Sequence, residues 1–159
     1  LDTSEELFDR LFAVNVKSVY LGAKAVIPVF KNQGTGGVIL NTVSTAALRP
    51  RPGLTIYNST KGALIPMTKA LALEVAEYGI RVNGINADRI RSGLLTDDFI
   101  SSRAKSRGVS ESEYMAGNLL NKEVTAEHVA DAFTALACAE STTGHVMTVD
   151  GGNIEASLR

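Results

Sequence analysis

Apolar positions along this chain recur with two alternating periods, and the alternation predicts its architecture. Leu7, Leu11, Val14, Ser18, Leu21 and Ala25 follow one another at steps of three and four, the spacing of one helix face. Thr3 and Glu6 have the separation of a capping box at the start of that helix. The predicted helix covers residues 4–31, with Pro28 bending its last turns and residues 34–37 forming a loop. The run GVILNTVS, residues 37–44, is apolar and β-branched between glycines, as a buried strand requires. TAALRPRPGLT follows, and its prolines and glycine predict an irregular loop. A second helix is predicted over 57–78, kinked at Pro66 and stopped by Gly79.

GIRVNGIN, residues 79–86, reads as the second strand. The polar stretch from Ala87 to Glu123 predicts a long loop with short helices, and Ser110 with Glu113 is a candidate capping box inside it. Thr125 opens a further helix whose apolar members include Val129, Ala132, Phe133 and Leu136. GHVMTVDGG, residues 144–152, is the third strand with a glycine turn at its end. Helices and strands alternate, so the strands run parallel and are joined by crossovers: the fold class is α/β, a layered sheet of about three parallel strands with flanking helices.

Composition narrows the setting. With 159 residues, 45% hydrophobic and 21% charged, the chain has the size and apolar content of one domain. A formal charge of -1 gives no electrostatic case for nucleic acid or an acidic membrane surface. Cys138 is the sole cysteine, which excludes an intramolecular disulfide and suits a reducing, cytoplasmic setting. No run of about 18 consecutive apolar residues is present to span a bilayer, and the acidic amino end is unlike a secretory signal. With His128 and His145 far apart and one cysteine, no metal site is expected.

The candidate chemistry lies in IYNSTKGAL, residues 56–64. On a helix, Tyr57 and Lys61 share one face. A free phenol has a pKa of about 10, and a neighbouring ammonium favours the phenolate, making the group fit to exchange a proton with an alcohol or a carbonyl at neutral pH. The spacing alone also suits a half-buried tyrosine beside a solvated lysine. Two further polar residues stand in apolar surroundings: Asn15 in FAVNVKS and Ser44 at the end of VILNTVS.

Taken together, NVKS, VILNTVSTAA, YNSTK, YGIRVNGIN and TGHVMTVDGG resemble, in order and over nearly the whole chain, the short-chain dehydrogenase/reductase family. The resemblance implies a Rossmann-like, doubly wound sheet and an NAD- or NADP-dependent interconversion of alcohol and carbonyl. It implies that Tyr57 is the general acid/base and that Lys61 lowers its pKa while binding the nicotinamide ribose. Ser44 would hydrogen-bond the reacting oxygen, and Asn15 would hold a water in a proton relay. Ile90 would offer backbone groups to the carboxamide and Ser92 a hydroxyl. In the family the long helices, here 4–31 and 57–78, pair subunits, which implies a homodimer or homotetramer acting on a small-molecule substrate.

The chain departs from the family in two places. Ala87 and Asp88 replace a Pro-Gly pair, and Ser92 stands where a threonine is usual. Asp88 and Arg89 could then shape a polar substrate pocket. The glycine-rich phosphate loop is missing, since GTGG at 34–37 precedes a strand instead of following one. The chain also begins at Leu1. Both features imply that residues 1–159 are the C-terminal half of one dinucleotide-binding domain, with the adenine half supplied by sequence outside it. The last third and VNGINADRIRSGLLT are also similar to the dehydrogenase domain of bifunctional aldolase/short-chain dehydrogenases of the rhamnulose-1-phosphate aldolase and lactaldehyde dehydrogenase type. That implies a small hydroxy-aldehyde, alcohol or sugar substrate in carbohydrate catabolism. Two rival readings remain: an oligomerising remnant that binds no cofactor, and an epimerase or dehydratase of the extended branch. Arg49, Arg51 and the basic run 103–107 read as solvated, Arg89 or Arg91 as a candidate partner for a cofactor phosphate, and Tyr114 and Met115 as part of a substrate lid or its packing.

Overall fold

A computed structural model describes residues 2–93, 95–154 and 156. Its first helical run has three parts: α1 (Glu5–Phe12), a π turn over Ala13–Lys17, and α2 (Ser18–Gln33). There follow β1 (Gly37–Thr42), α3 (Thr55–Val75), β2 (Ile80–Ala87), α4 (Asp97–Arg107), α5 (Glu111–Met115), α6 (Ala126–Cys138) and β3 (Val146–Val149). The three strands form one parallel sheet in the order β1-β2-β3, with Gly37 opposite Ile80 and Gly84 opposite Val146.

The period-two alternation of β2 assigns its two faces. Ile80 and Val82 pack with Ala72 and Val75 of α3 and with Ile27, Phe30 and Ile39. Ile85, one face over, packs with Ala132 and Leu136 of α6, together with Leu40, Val129, Phe133 and Met147. The expected apolar members of α6 are therefore its sheet-facing stripe. Arg81, on that same face, donates to the carbonyls of Leu136 and Ala137 at 2.9 and 2.6 Å, satisfying acceptors that the end of α6 leaves open. Gly79 stops the preceding helical run in the left-handed conformation, φ 66°, as a C-cap glycine does. A Cβ on the neighbouring Gly36 would lie 2.4 Å from the Gly79 carbonyl oxygen, so the start of β1 tolerates no side chain there.

Several boundaries differ from the expectations, each for a local reason. Ser4, not Thr3, caps the first helix, because its side chain accepts from the Leu7 amide at 3.2 Å. The second helix begins two residues earlier than expected, at Thr55. The capping box at Ser110 and Glu113 is formed, and His128 takes the place of an acidic residue in a second box with Thr125. The polar stretch after β2 contains the eleven-residue α4, so it is more helical than its composition suggests. β3 is limited to Val146–Val149, where β2 offers paired partners.

The first helix also turns differently from its apparent stripe. Ala23, Ile27 and Phe30 face the domain, whereas Leu7, Val14 and Leu21 are exposed at 45%, 62% and 48%. Both sides of the helix are apolar, and only one meets the sheet. The run Glu5–Gln33 is thus long and apolar enough, by length and composition, to cross a membrane. A search for consecutive apolar residues misses this because Asn15, Lys17 and Lys24 interrupt the run.

Candidate active site

Ser44 and Lys61, both picked out by sequence, are placed at the carboxyl end of β1. Pairing continues one residue past the strand, with the Val43 amide donating to the Ile85 carbonyl at 2.8 Å. Ser44 then leaves the sheet, so it lies two positions beyond the strand instead of ending it. Its extended backbone caps a short 3-10 turn over Thr45–Ala47, and its hydroxyl accepts from the Ala46 amide at 3.2 Å. The hydroxyl proton remains available for a second oxygen.

Tyr57 and Lys61 occupy the first two turns of α3. Lys61 Nζ donates to the Thr42 carbonyl at 2.9 Å, which fastens the helix to the strand end that carries Ser44. One of the three ammonium donors is used in this way, and the others are left for a ligand. Burial pushes the Lys61 ammonium below its ordinary pKa. Thr60 links the other partner: its hydroxyl donates to the Tyr57 carbonyl at 2.8 Å and accepts from Asn15 Nδ2 at 3.0 Å. Asn15 sits in the π turn, a local irregularity of a kind that frequently marks functional positions in helices. Two sets of contacts result: Asn15 through Thr60 to the Tyr57 carbonyl, and Lys61 to the end of β1.

Of the residues after β2, Arg89 lines a polar cavity. Asp88 does not face a pocket with its charge free. Its side chain, 4% exposed, accepts from Thr45 Oγ1 (3.1 Å), Arg51 Nη2 (3.0 Å), Arg89 Nε (3.2 Å) and Asn153 Nδ2 (2.6 Å). Burial raises its pKa, but the bond from Asn153, the charges of Arg89 and Arg51 and the bond from Thr45 outweigh that, so the carboxylate is held below its usual range. Arg89 is buried as well, donating to the carbonyls of Tyr114 and Gly117 and lying over the Tyr114 ring. Arg91 pairs with Asp97 and Glu123. Neither arginine is thus a free partner for a cofactor phosphate. Ile90 is half-buried, and Ser92 closes a turn with Leu95, whose amide donates to the Ser92 hydroxyl at 3.3 Å. Tyr114 and Met115 are buried with Ile100 and Ala104, so they are the packing of the α4–α5 segment.

Arg49 and Arg107 are exposed, as expected, and Arg51 is half-buried; all three line a cavity of about 380 Å³, together with Arg89, Glu113 and Asn153. No local sequence signal reports this grouping. The one hint is Asp88-Arg89, two opposite charges placed directly after an apolar strand. The DGG segment forms a turn in which Asp150 accepts from the amides of Gly152 and Ile154 at 2.7 and 2.6 Å.

A nicotinamide cofactor fits what is present. Lys61 keeps ammonium donors free at the carboxyl end of a parallel strand, where open α/β sheets take their ligands. A phenol and a serine hydroxyl are presented from the same strand end by α3 and by the turn after β1.

Comparison with known proteins agrees. The family profile described as enoyl-(acyl carrier protein) reductase matches residues 1–153, and the chain belongs to the short-chain dehydrogenase/reductase family. It is 37% identical to 4-formylbenzenesulfonate dehydrogenase of Comamonas testosteroni, over 96% of this chain and 60% of that protein. It is 34% identical to 2-(R)-hydroxypropyl-CoM dehydrogenase of Xanthobacter autotrophicus, over 94% of this chain and 58% of that protein. The solved 3-ketoacyl-(acyl-carrier-protein) reductase of Brucella melitensis, complexed with NADH, superposes with a TM-score of 0.79 at 36% identity, over 96% of this chain and 60% of that one. Other solved neighbours hold NADP or NAD+. The chain thus spans about 60% of the length of the relatives it matches. Nothing among these relatives points to a bifunctional aldolase/dehydrogenase.

Proposed function

We propose that this chain carries the reacting half of an NAD- or NADP-dependent oxidoreductase that interconverts a small alcohol and the corresponding carbonyl compound. The observation that carries the reading is the Lys61–Thr42 bond, which holds α3, with Tyr57, against the strand end that leads to Ser44. Tyr57 exchanges the proton of the substrate oxygen, Ser44 donates a hydrogen bond to that oxygen, and the Lys61 ammonium favours the phenolate while binding the nicotinamide ribose. Asn15, tied to Tyr57 through Thr60, orders the far end of a proton path. Ile90 and Ser92 flank the carboxamide. The bound nicotinamide supplies or accepts the hydride.

The adenine half of the cofactor site belongs, in this reading, to sequence preceding residue 1, completing one domain of which these residues are the C-terminal half. The exposed apolar faces of α1–α2, and Leu73 of α3 at 83% exposure, support pairing of subunits through these helices. The substrate is a small alcohol, hydroxy-aldehyde or sugar. An aldehyde or alcohol of that size is consistent with the formyl compound named for the Comamonas relative.

The test is Tyr57→Phe in the full-length protein. Cofactor binding by calorimetry stays within a few-fold, while turnover falls by roughly a hundred-fold or more, the scale of a lost general acid/base. Turnover within twofold of the wild type overturns the assignment.

A further inference from the structure

The arginine-lined cavity lies beyond the carboxyl ends of all three strands. Arg49 and Arg51 reach it from the loop after β1, Arg89 from the end of β2, and Asn153 from the turn after β3. Arg107 closes it from the last turn of α4. This is the same end of the sheet that presents Ser44 and the start of α3. The loop that carries Arg51 is fastened directly to α3, since Asn58 Nδ2, one residue from Tyr57, donates to the Arg51 carbonyl at 3.0 Å.

Charge in the cavity is unbalanced. Among the described residues, four guanidiniums line it against one carboxylate, Glu113, with Asp88 just beneath. Both carboxylates are committed. Asp88 takes donors from Arg51, Arg89, Thr45 and Asn153. Glu113 is held by the amide and hydroxyl of Ser110 at 2.8 and 2.7 Å. Arg51 and Arg89 share the one Asp88 carboxylate and are held in place by it. Arg49 and Arg107 form no ion pair among the described residues. The Tyr114 ring, its centroid 5.1 Å from the guanidinium carbon, steadies Arg107.

We propose that this cavity binds an oxyanion carried by the substrate, a carboxylate, sulfonate or phosphate monoester, through Arg49 and Arg107. The Asp88 network is the rigid floor beneath them. Guanidinium suits this task because its planar donors match oxyanion geometry and it stays charged at every working pH. The inference deepens the oxidoreductase reading and rests on it for the word substrate, but anion binding itself does not.

Two arms separate the claims. In the first, calorimetry on the full-length protein measures binding of benzenesulfonate, benzoate and phenyl phosphate against neutral benzyl alcohol. At least one anion binds more tightly than the alcohol. Arg49→Gln with Arg107→Gln weakens it on the order of ten- to a hundred-fold, the scale of lost charge-assisted bonds. Arg103→Gln, on the exposed part of α4, leaves it unchanged. In the second arm, reduction of 4-formylbenzenesulfonate and of benzaldehyde is compared. The double variant raises KM for the anionic aldehyde about tenfold or more and leaves kcat, and both constants for benzaldehyde, within twofold. Anion binding that is absent, or indifferent to the double variant, overturns the cavity's role whatever the activity. Anion binding that is lost in the double variant, with no turnover of either aldehyde, upholds the anion site and counts against the reaction assigned above.

Discussion

Removing the carboxylate of Asp88 is the perturbation whose effect follows most directly from the packing. In Asp88→Ala the acceptors for Arg51, Arg89, Thr45 and Asn153 vanish together. The Arg89 side chain is only 6% exposed, so its charge would remain in the interior without a counter-ion. Breaking a buried pair by removing one partner costs about 3–5 kcal/mol. Arg89 keeps its bonds to the Tyr114 and Gly117 carbonyls, and Arg51, 36% exposed, recovers water. The lower figure, about 3 kcal/mol, is therefore expected. For a domain of this size that is a loss of roughly 6–12 °C in Tm. The assay is thermal unfolding by circular dichroism at several pH values. Asp88 titrates below its unfolded value, so its contribution is full above about pH 4 and is lost as pH falls through the folded pKa. The gap between wild type and variant must therefore narrow in acid. A gap under about 1 kcal/mol at neutral pH, or one that does not change down to strong acid, refutes the reasoning.

Other residues give further tests. Lys61→Met removes a partly buried ammonium whose pKa burial has lowered, so the wild type gains stability as pH rises through the folded pKa toward about 10.4. Alkaline unfolding curves should show that gain in the wild type and its absence in the variant, while turnover slows. Arg81→Ala strips two donors from the Leu136 and Ala137 carbonyls and should destabilise by about 1.5–3 kcal/mol, read as a lower urea midpoint. Gly151→Ala puts a Cβ 2.6 Å from the Asn118 side chain at a residue with φ 63°, and should lower Tm and speed proteolysis within residues 117–121.

Much of the fold was legible because its signals are local. Gly79 ends a helix and Ser110 pairs with Glu113 within a few residues, and both are found as read. The alternation of elements correctly implied a parallel sheet. Errors arose where partners decide. Ser44 leaves the sheet two residues after Thr42 because a short turn needs its backbone and hydroxyl. The first helix presents an apolar stripe on each side, and its sequence cannot say which one meets the sheet. Tyr57, Lys61, Ser44 and Asn15 were picked out by sequence, but the bonds that position them were not. The Thr42 carbonyl under Lys61 and the Thr60 hydroxyl between Asn15 and Tyr57 belong to no motif. The Asp88 network was hidden for the same reason, since Arg51 and Asn153 lie 37 and 65 positions away along the chain.

Tyr57 as proton carrier beside a cation is tested most directly by the pH dependence of single-turnover hydride transfer in the full-length protein, with and without the Lys61 charge. Loading with saturating cofactor keeps binding out of the comparison. The account predicts that Lys61→Met moves the rising limb of the profile to higher pH. A limb that stays in place when the ammonium is removed would contradict it.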